Sequence, residues 1–92
     1  MKPLDLGESF RKRVRGYPKE ARGKIGQTLQ QVERDFGQPH RHRGLGIRKL
    51  TGNYFEIRVG LDIRLVFQNS AECLLFVMAG NHDEVRKFLR GI

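Results

Sequence analysis

Ninety-two residues, 38% hydrophobic and 30% charged with a net charge of +8, suffice for one small folded domain spanning 1–92 and argue against a fibre or a disordered chain. The longest apolar run, Cys73 to Gly80, falls well short of the about 20 residues that cross a bilayer. Met1-Lys2-Pro3-Leu4-Asp5 lacks the apolar core of a secretory signal, so a cytoplasmic protein without membrane contact is expected. Residues 1–50 hold 13 Lys and Arg against 5 Asp and Glu, whereas residues 51–92 hold 5 against 5. All of the excess positive charge therefore lies in the first half. Such asymmetry favours a polyanion, above all nucleic acid, because phosphate contacts release counterions and steer encounter. A solvated basic face and a patch neutralised by an acidic protein partner are the two other readings.

Lys2 to Leu6 has the weak alternation of a short edge strand, interrupted by Pro3, which lacks a ladder N–H. Asp5 and Glu8 have capping-box spacing for a first helix whose stripe is Leu6, Phe10, Val14 and Tyr17. Gly16 and Tyr17 end it, and Pro18 suits the first position of a second helix. There Ala21, Ile25, Leu29, Val32 and Phe36 keep the helical rhythm until Gly37 and Pro39 stop it. The two helices form a basic hairpin with one apolar seam.

Residues 38–46, QPHRHRGLG, read as a loop. His40 and His42 have the spacing of a metal pair, but no Cys or carboxylate nearby supplies further ligands, so no metal is expected. His42 and Arg43 of this loop, with Arg48 and Lys49 beyond it, are read as RNA contacts. Gly44 and Gly46 lack the context of a phosphate-cradling glycine motif, and no cofactor is expected.

Three strands follow. Phe55, Ile57 and Val59 alternate with Tyr54, Glu56 and Arg58; after a turn at Gly60-Leu61-Asp62, Ile63, Leu65 and Phe67 alternate with Arg64, Val66 and Gln68. Arg58 and Arg64 therefore share the face opposite the apolar one. Cys73 to Ala79 is apolar throughout, as in a central strand covered on both sides, and Cys73 is expected to fill core space. Asn81 is a good N-cap with Glu84 three residues on, and Val85, Phe88 and Leu89 form the inner stripe of a last short helix with His82 in its first turn.

RNA cleavage without a metal requires a base for the 2′-hydroxyl, an acid for the leaving 5′-oxygen and fixed positive charge on the phosphorane. Arg58 and Arg64 offer forked donors for the phosphate, His82 a proton, and Glu56 and Asp83 carboxylates to act as base or to orient the imidazole. Each has a plainer reading beside it. Arg58 can pair with Glu56 or Asp62, Glu56 can be a pairing partner only, and His82 can be an ordinary exposed residue.

The order of elements, with R-K-L-x-G at Arg48 to Gly52, Y-x-x-x-R-V-G from Tyr54 to Gly60, I-R-L-V-F at Ile63 to Phe67 and G-N-H-D-E-V at Gly80 to Val85, resembles the RelE/ParE toxin superfamily of bacterial toxin-antitoxin modules. The likeness spans nearly the whole chain and is strongest from residue 44 onward. It implies an α+β fold: a helical hairpin on one face of a three- to four-stranded, mainly antiparallel sheet, with a short C-terminal helix. In the RelE-like branch it implies a ribosome-dependent mRNA endonuclease with an acidic antitoxin partner and rRNA contacts through the basic helices. Arg58 and Arg64 then match phosphate-contacting strand positions, and His82 a catalytic one. The ParE-like branch implies inhibition of DNA gyrase, and a degenerate member would only bind its antitoxin. Many relatives carry a tyrosine where this chain has Arg86, which can still contact phosphate, and some a lysine in place of Glu56.

Overall fold

The structure, a computed structural model, describes residues 2–38 and 44–92. Strand β1 (Leu4–Leu6) leads into helices α1 (Glu8–Arg15) and α2 (Lys19–Asp35); strands β2 (Arg48–Lys49), β3 (Tyr54–Val59), β4 (Ile63–Asn69) and β5 (Leu74–Gly80) follow, and helix α3 (His82–Arg90) closes the chain. The strands form one sheet in the order β1-β5-β4-β3-β2. Only β1 runs parallel to its neighbour, with Leu4 opposite Leu74; β2, β3, β4 and β5 pair antiparallel in succession. The α+β class and the helical hairpin agree with expectation. Among the described residues the sheet has five strands where three or four were expected, because β1 pairs with a strand about 70 residues away and β2 is only two residues long.

The start of α1 also departs from expectation. Asp5 lies in β1 and caps nothing, and Leu6 is a strand residue packed against the core. Gly7 is the N-cap instead. Its N–H donates to Phe76 O at 2.9 Å while its carbonyl accepts from Arg11 N at 3.0 Å, so one residue ends the β ladder and begins the helix. A Cβ on Gly7 would come 3.0 Å from Phe76 O, which explains the glycine. Pro18 is likewise the N-cap of α2 and not its first residue.

The hairpin of α1 and α2 covers one face of the sheet. Phe10, Ile25 and Val32 are buried there against Ile57, Val59, Leu65, Phe67, Leu74, Phe76 and Ala79. Phe55, Phe67 and Phe76 occupy facing positions on three neighbouring strands and stack with centroids 5.7 and 4.8 Å apart. Phe36 meets Phe55 and Phe67 edge-on at 5.6 and 5.5 Å, and Phe10 tilts onto Phe76 at 5.3 Å. Burial of this much aromatic surface, with edge-to-face contacts, dominates the packing of a small domain.

On the opposite face α3 packs Val85, with Phe88 and Leu89, over Val66 and Met78. A bulge in β5 makes the two faces compatible. Val66 pairs with Met78 but Phe67 pairs with Phe76, so Val77 is an extra residue. Leu74 and Phe76 can then face the hairpin while Val77 and Met78 both pack towards α3, and Ala79 returns to the first face. Cys73 lies one residue before β5 and is half-buried, its Sγ 3.4 Å from Ser70 Oγ, so it is not the core filler expected. Among the described residues no helix is long and apolar enough to cross a membrane.

Candidate functional site

The β3–β4 hairpin turns at Gly60, whose φ of 67° suits glycine, and this turn fixes the register that aligns the two arginines. Arg58 stands directly opposite Arg64, and Arg64 in turn stands opposite Gly80 of β5. Two residues beyond Gly80, His82 opens α3. A transverse row across three strands thus runs Arg58, Arg64, Gly80 and on to His82, at the end of the sheet beside the α3 N-terminus. Like charges on directly opposed residues disfavour each other. Here the two arginines have different surroundings: Arg58 is exposed, whereas Arg64 is drawn inward.

Glu56 draws it. The Glu56 carboxylate, with 6% of its side chain exposed, accepts from Arg64 Nη1 at 3.1 Å, and Arg64 itself is 12% exposed. Arg48, facing Glu56 from β2, approaches the same oxygen at 3.8 Å. A nearly buried carboxylate so engaged acts as an anchor: it fixes one guanidinium in place and leaves that group's remaining N–H donors for an anion. Glu56 is thus paired, but with Arg64 and Arg48 and not with Arg58. Among the described residues Arg58 makes no ion pair.

His82 owes its position to a capping box. Asn81 Oδ1 accepts from Glu84 N at 2.8 Å, and Asn81 N donates to Glu84 Oε1 at 2.9 Å, as the spacing predicts. His82 and Asp83 are exposed in the first turn, and Arg86, four residues after His82, shares its side of the helix. Arg48 and Lys49 are exposed on β2. His40, His42 and Arg43 lie outside the described residues. Among the described residues no three His, Cys, Asp or Glu side chains gather in a way that could hold a metal ion.

The sequence reading missed a further participant, Arg13 of α1. Its Nε donates to Ala79 O and its Nη2 to Glu84 Oε2, tying α1 to the end of β5 and the start of α3. The Glu84 carboxyl is held below the ordinary carboxylate range, first by the Asn81 N–H and then by Arg13. Nearby, partial burial raises the Tyr17 phenol, with Glu84 adding to the effect. The basic character of α1 offers no signal that singles out Arg13 from its neighbours Arg11, Lys12 and Arg15.

No protein-family model and no curated protein sequence matches the chain. Solved structures do. A chain of the RelB–RelE antitoxin–toxin complex from Methanococcus jannaschii superposes with a TM-score of 0.70 at 19% identity, covering 91% of this chain and 96% of that one. This chain carries the RelE-like toxin fold. YafQ from E. coli is similar with a TM-score of 0.69 at 17% identity over 92% of this chain and 98% of that one. A YoeB/ParE toxin from Agrobacterium tumefaciens gives 0.66 at 22% identity over 89% and 99%. The RelE-like fold is thus matched almost end to end, at identities where the fold and not the chemistry is what is shared.

Proposed function

We propose that this chain is the toxin of a bacterial type II toxin–antitoxin pair, acting in the cytoplasm as an endoribonuclease that cuts mRNA on the ribosome. The observation that carries the reading is the row of Arg58, Arg64 and, past Gly80, His82, with Glu56 anchoring Arg64. In this scheme the 2′-oxygen attacks phosphorus as the bond to the 5′-oxygen breaks, leaving a cyclic phosphate. Arg64, held in place before substrate arrives, stabilises the phosphorane, since donors that need no reorganisation are the effective ones. Arg58 contacts the same phosphate from the solvent side, and His82 gives its proton to the departing 5′-oxygen. With Glu56 engaged by two guanidinium groups, Asp83 is the carboxylate left to take the 2′-hydroxyl proton. Arg86, Arg48 and Lys49, with Arg43 and His42, hold the flanking RNA. The basic helices meet ribosomal RNA, and an acidic antitoxin is the protein partner, as the antitoxin–toxin composition of one structural relative suggests.

A second reading is inhibition of DNA gyrase without nuclease chemistry, which the ParE-like side of the family resemblance implies. Expression without a partner separates the two. Growth arrest with loss of translated mRNA, abolished by His82→Ala or Arg64→Ala in folded protein, is the expected result. Intact transcripts with inhibited supercoiling would overturn it in favour of the gyrase reading. Absence of any growth phenotype, with tight binding to an acidic protein, would leave only an antitoxin-binding member.

A further inference from the structure

We infer that Arg13 is a positioning residue for His82: it clamps the end of β5 to the start of α3 and so sets where the imidazole stands relative to Arg64. The inference rests on the nuclease reading above. A histidine in the first position of a helix takes its direction from the N-cap before it, here Asn81 in an extended conformation with φ −82° and ψ 179°. That cap is closed by Glu84, which uses Oε1 for the Asn81 N–H and Oε2 for Arg13. The same guanidinium reaches Ala79 O. One side chain from α1 therefore bonds to the residues on both sides of the Gly80–His82 segment. Gly80 has no room for more: a Cβ there would lie 3.0 Å from both Glu84 Cβ and Oε1 and 3.1 Å from Arg13 Nη2. Because Gly80 is the register partner of Arg64, the clamp closes over the step that links the phosphate-binding row to the proton donor. An arginine serves where a lysine would not, since two divergent N–H donors on one plane are needed to span Ala79 and Glu84.

The test compares Arg13→Ala, Arg13→Lys and Glu84→Gln in the full-length chain. Glu84→Gln keeps an acceptor for the Asn81 N–H but removes the charge that Arg13 bonds, so it reads the clamp even if Arg13→Ala does not fold. The His82 ring resonances and the exchange of the Glu84 amide are followed by NMR. Single-turnover cleavage of ribosome-bound mRNA is followed in parallel. Arg13→Ala is expected to shift the ring resonances, speed amide exchange and lower the maximal cleavage rate by about 10- to 100-fold, the cost of a small misalignment. Half-saturation should not change, and Arg13→Lys should recover only part of the loss. Unchanged His82 resonances in Arg13→Ala and Glu84→Gln would overturn the clamp whatever the activity. Shifted resonances with an unchanged cleavage rate, or a loss lying wholly in half-saturation, would overturn its part in the reaction. A wild-type chain that cleaves no mRNA would overturn the nuclease reading, while the resonances would still decide whether Arg13 positions His82.

Discussion

On the hairpin side of the sheet, five phenylalanines interlock over three strands, whereas the α3 side pairs a small apolar patch around Val66, Met78 and Val85 with a nearly buried ion pair. The first arrangement is what folding alone would select. The second is not, because desolvating Glu56 and Arg64 costs roughly what their attraction returns, and an apolar pair of similar volume often does as well or better. A charge kept under those terms fits the phosphate-binding role proposed above for Arg64. Arg64 is held where a flexible surface arginine could not be, and it is held on the side that leads to His82.

Four changes would break or sharpen this contrast. Phe67→Ala strikes the centre of the aromatic cluster, where the ring is fully buried, and should cost about 4 kcal/mol, read as a lower urea midpoint. Glu56→Ala leaves the Arg64 guanidinium largely buried with its partner gone and should cost about 3 kcal/mol. The double variant Glu56→Leu with Arg64→Met should return close to wild-type stability in the same urea titration and, on the nuclease function proposed above, lose all cleavage, which would separate the charge pair's proposed role from folding. Asn81→Ala removes the acceptor for the Glu84 amide and should cost about 1 kcal/mol, seen as a lower Tm.

The smallest effect is a pH dependence. The Glu84 carboxyl lies below its ordinary 4.5 when folded, so the unfolded chain binds the proton more readily. Its contribution to stability is therefore complete above that ordinary value and is lost as pH falls through the lower folded one. Denaturant titrations across this acid range should show the loss in the wild type and a flatter profile in Glu84→Gln.

Local signals were legible in the sequence and distant ones were not. Period-two alternation in Tyr54 to Val59 and Ile63 to Phe67 set the faces correctly, because side-chain direction in a strand depends only on position along it. The Asn81–Glu84 box was readable for the same reason. By contrast, the spacing pointed to Asp5 as the helix start, and the actual start at Gly7 is set by Phe76, almost 70 residues away, which accepts the Gly7 N–H. The partner of Glu56 was open for a similar reason. Arg58 is nearer in sequence, but cross-strand register and the approach of Arg48 from β2 decided it. Arg13 left no trace at all, since its importance lies in what it reaches and not in any pattern it belongs to.

The extra residue in β5 has a consequence for how such a chain can change over time. Deleting Val77 would join Phe76 directly to Met78 and restore strict alternation, with Phe76 towards the hairpin, Met78 towards α3, Ala79 back towards the hairpin and the same partners on β4. What would be lost is the bend and added twist that a bulge gives its strand, and with them the direction in which β5 delivers Gly80 and the start of α3 past Arg64. Insertions in the loops can be absorbed by the surface, but the length of this one strand counts in single residues. Val77, an apolar side chain with no chemistry of its own, acts through the bend that its extra backbone unit imposes, and a search for the limits of variation in this fold would do well to begin there.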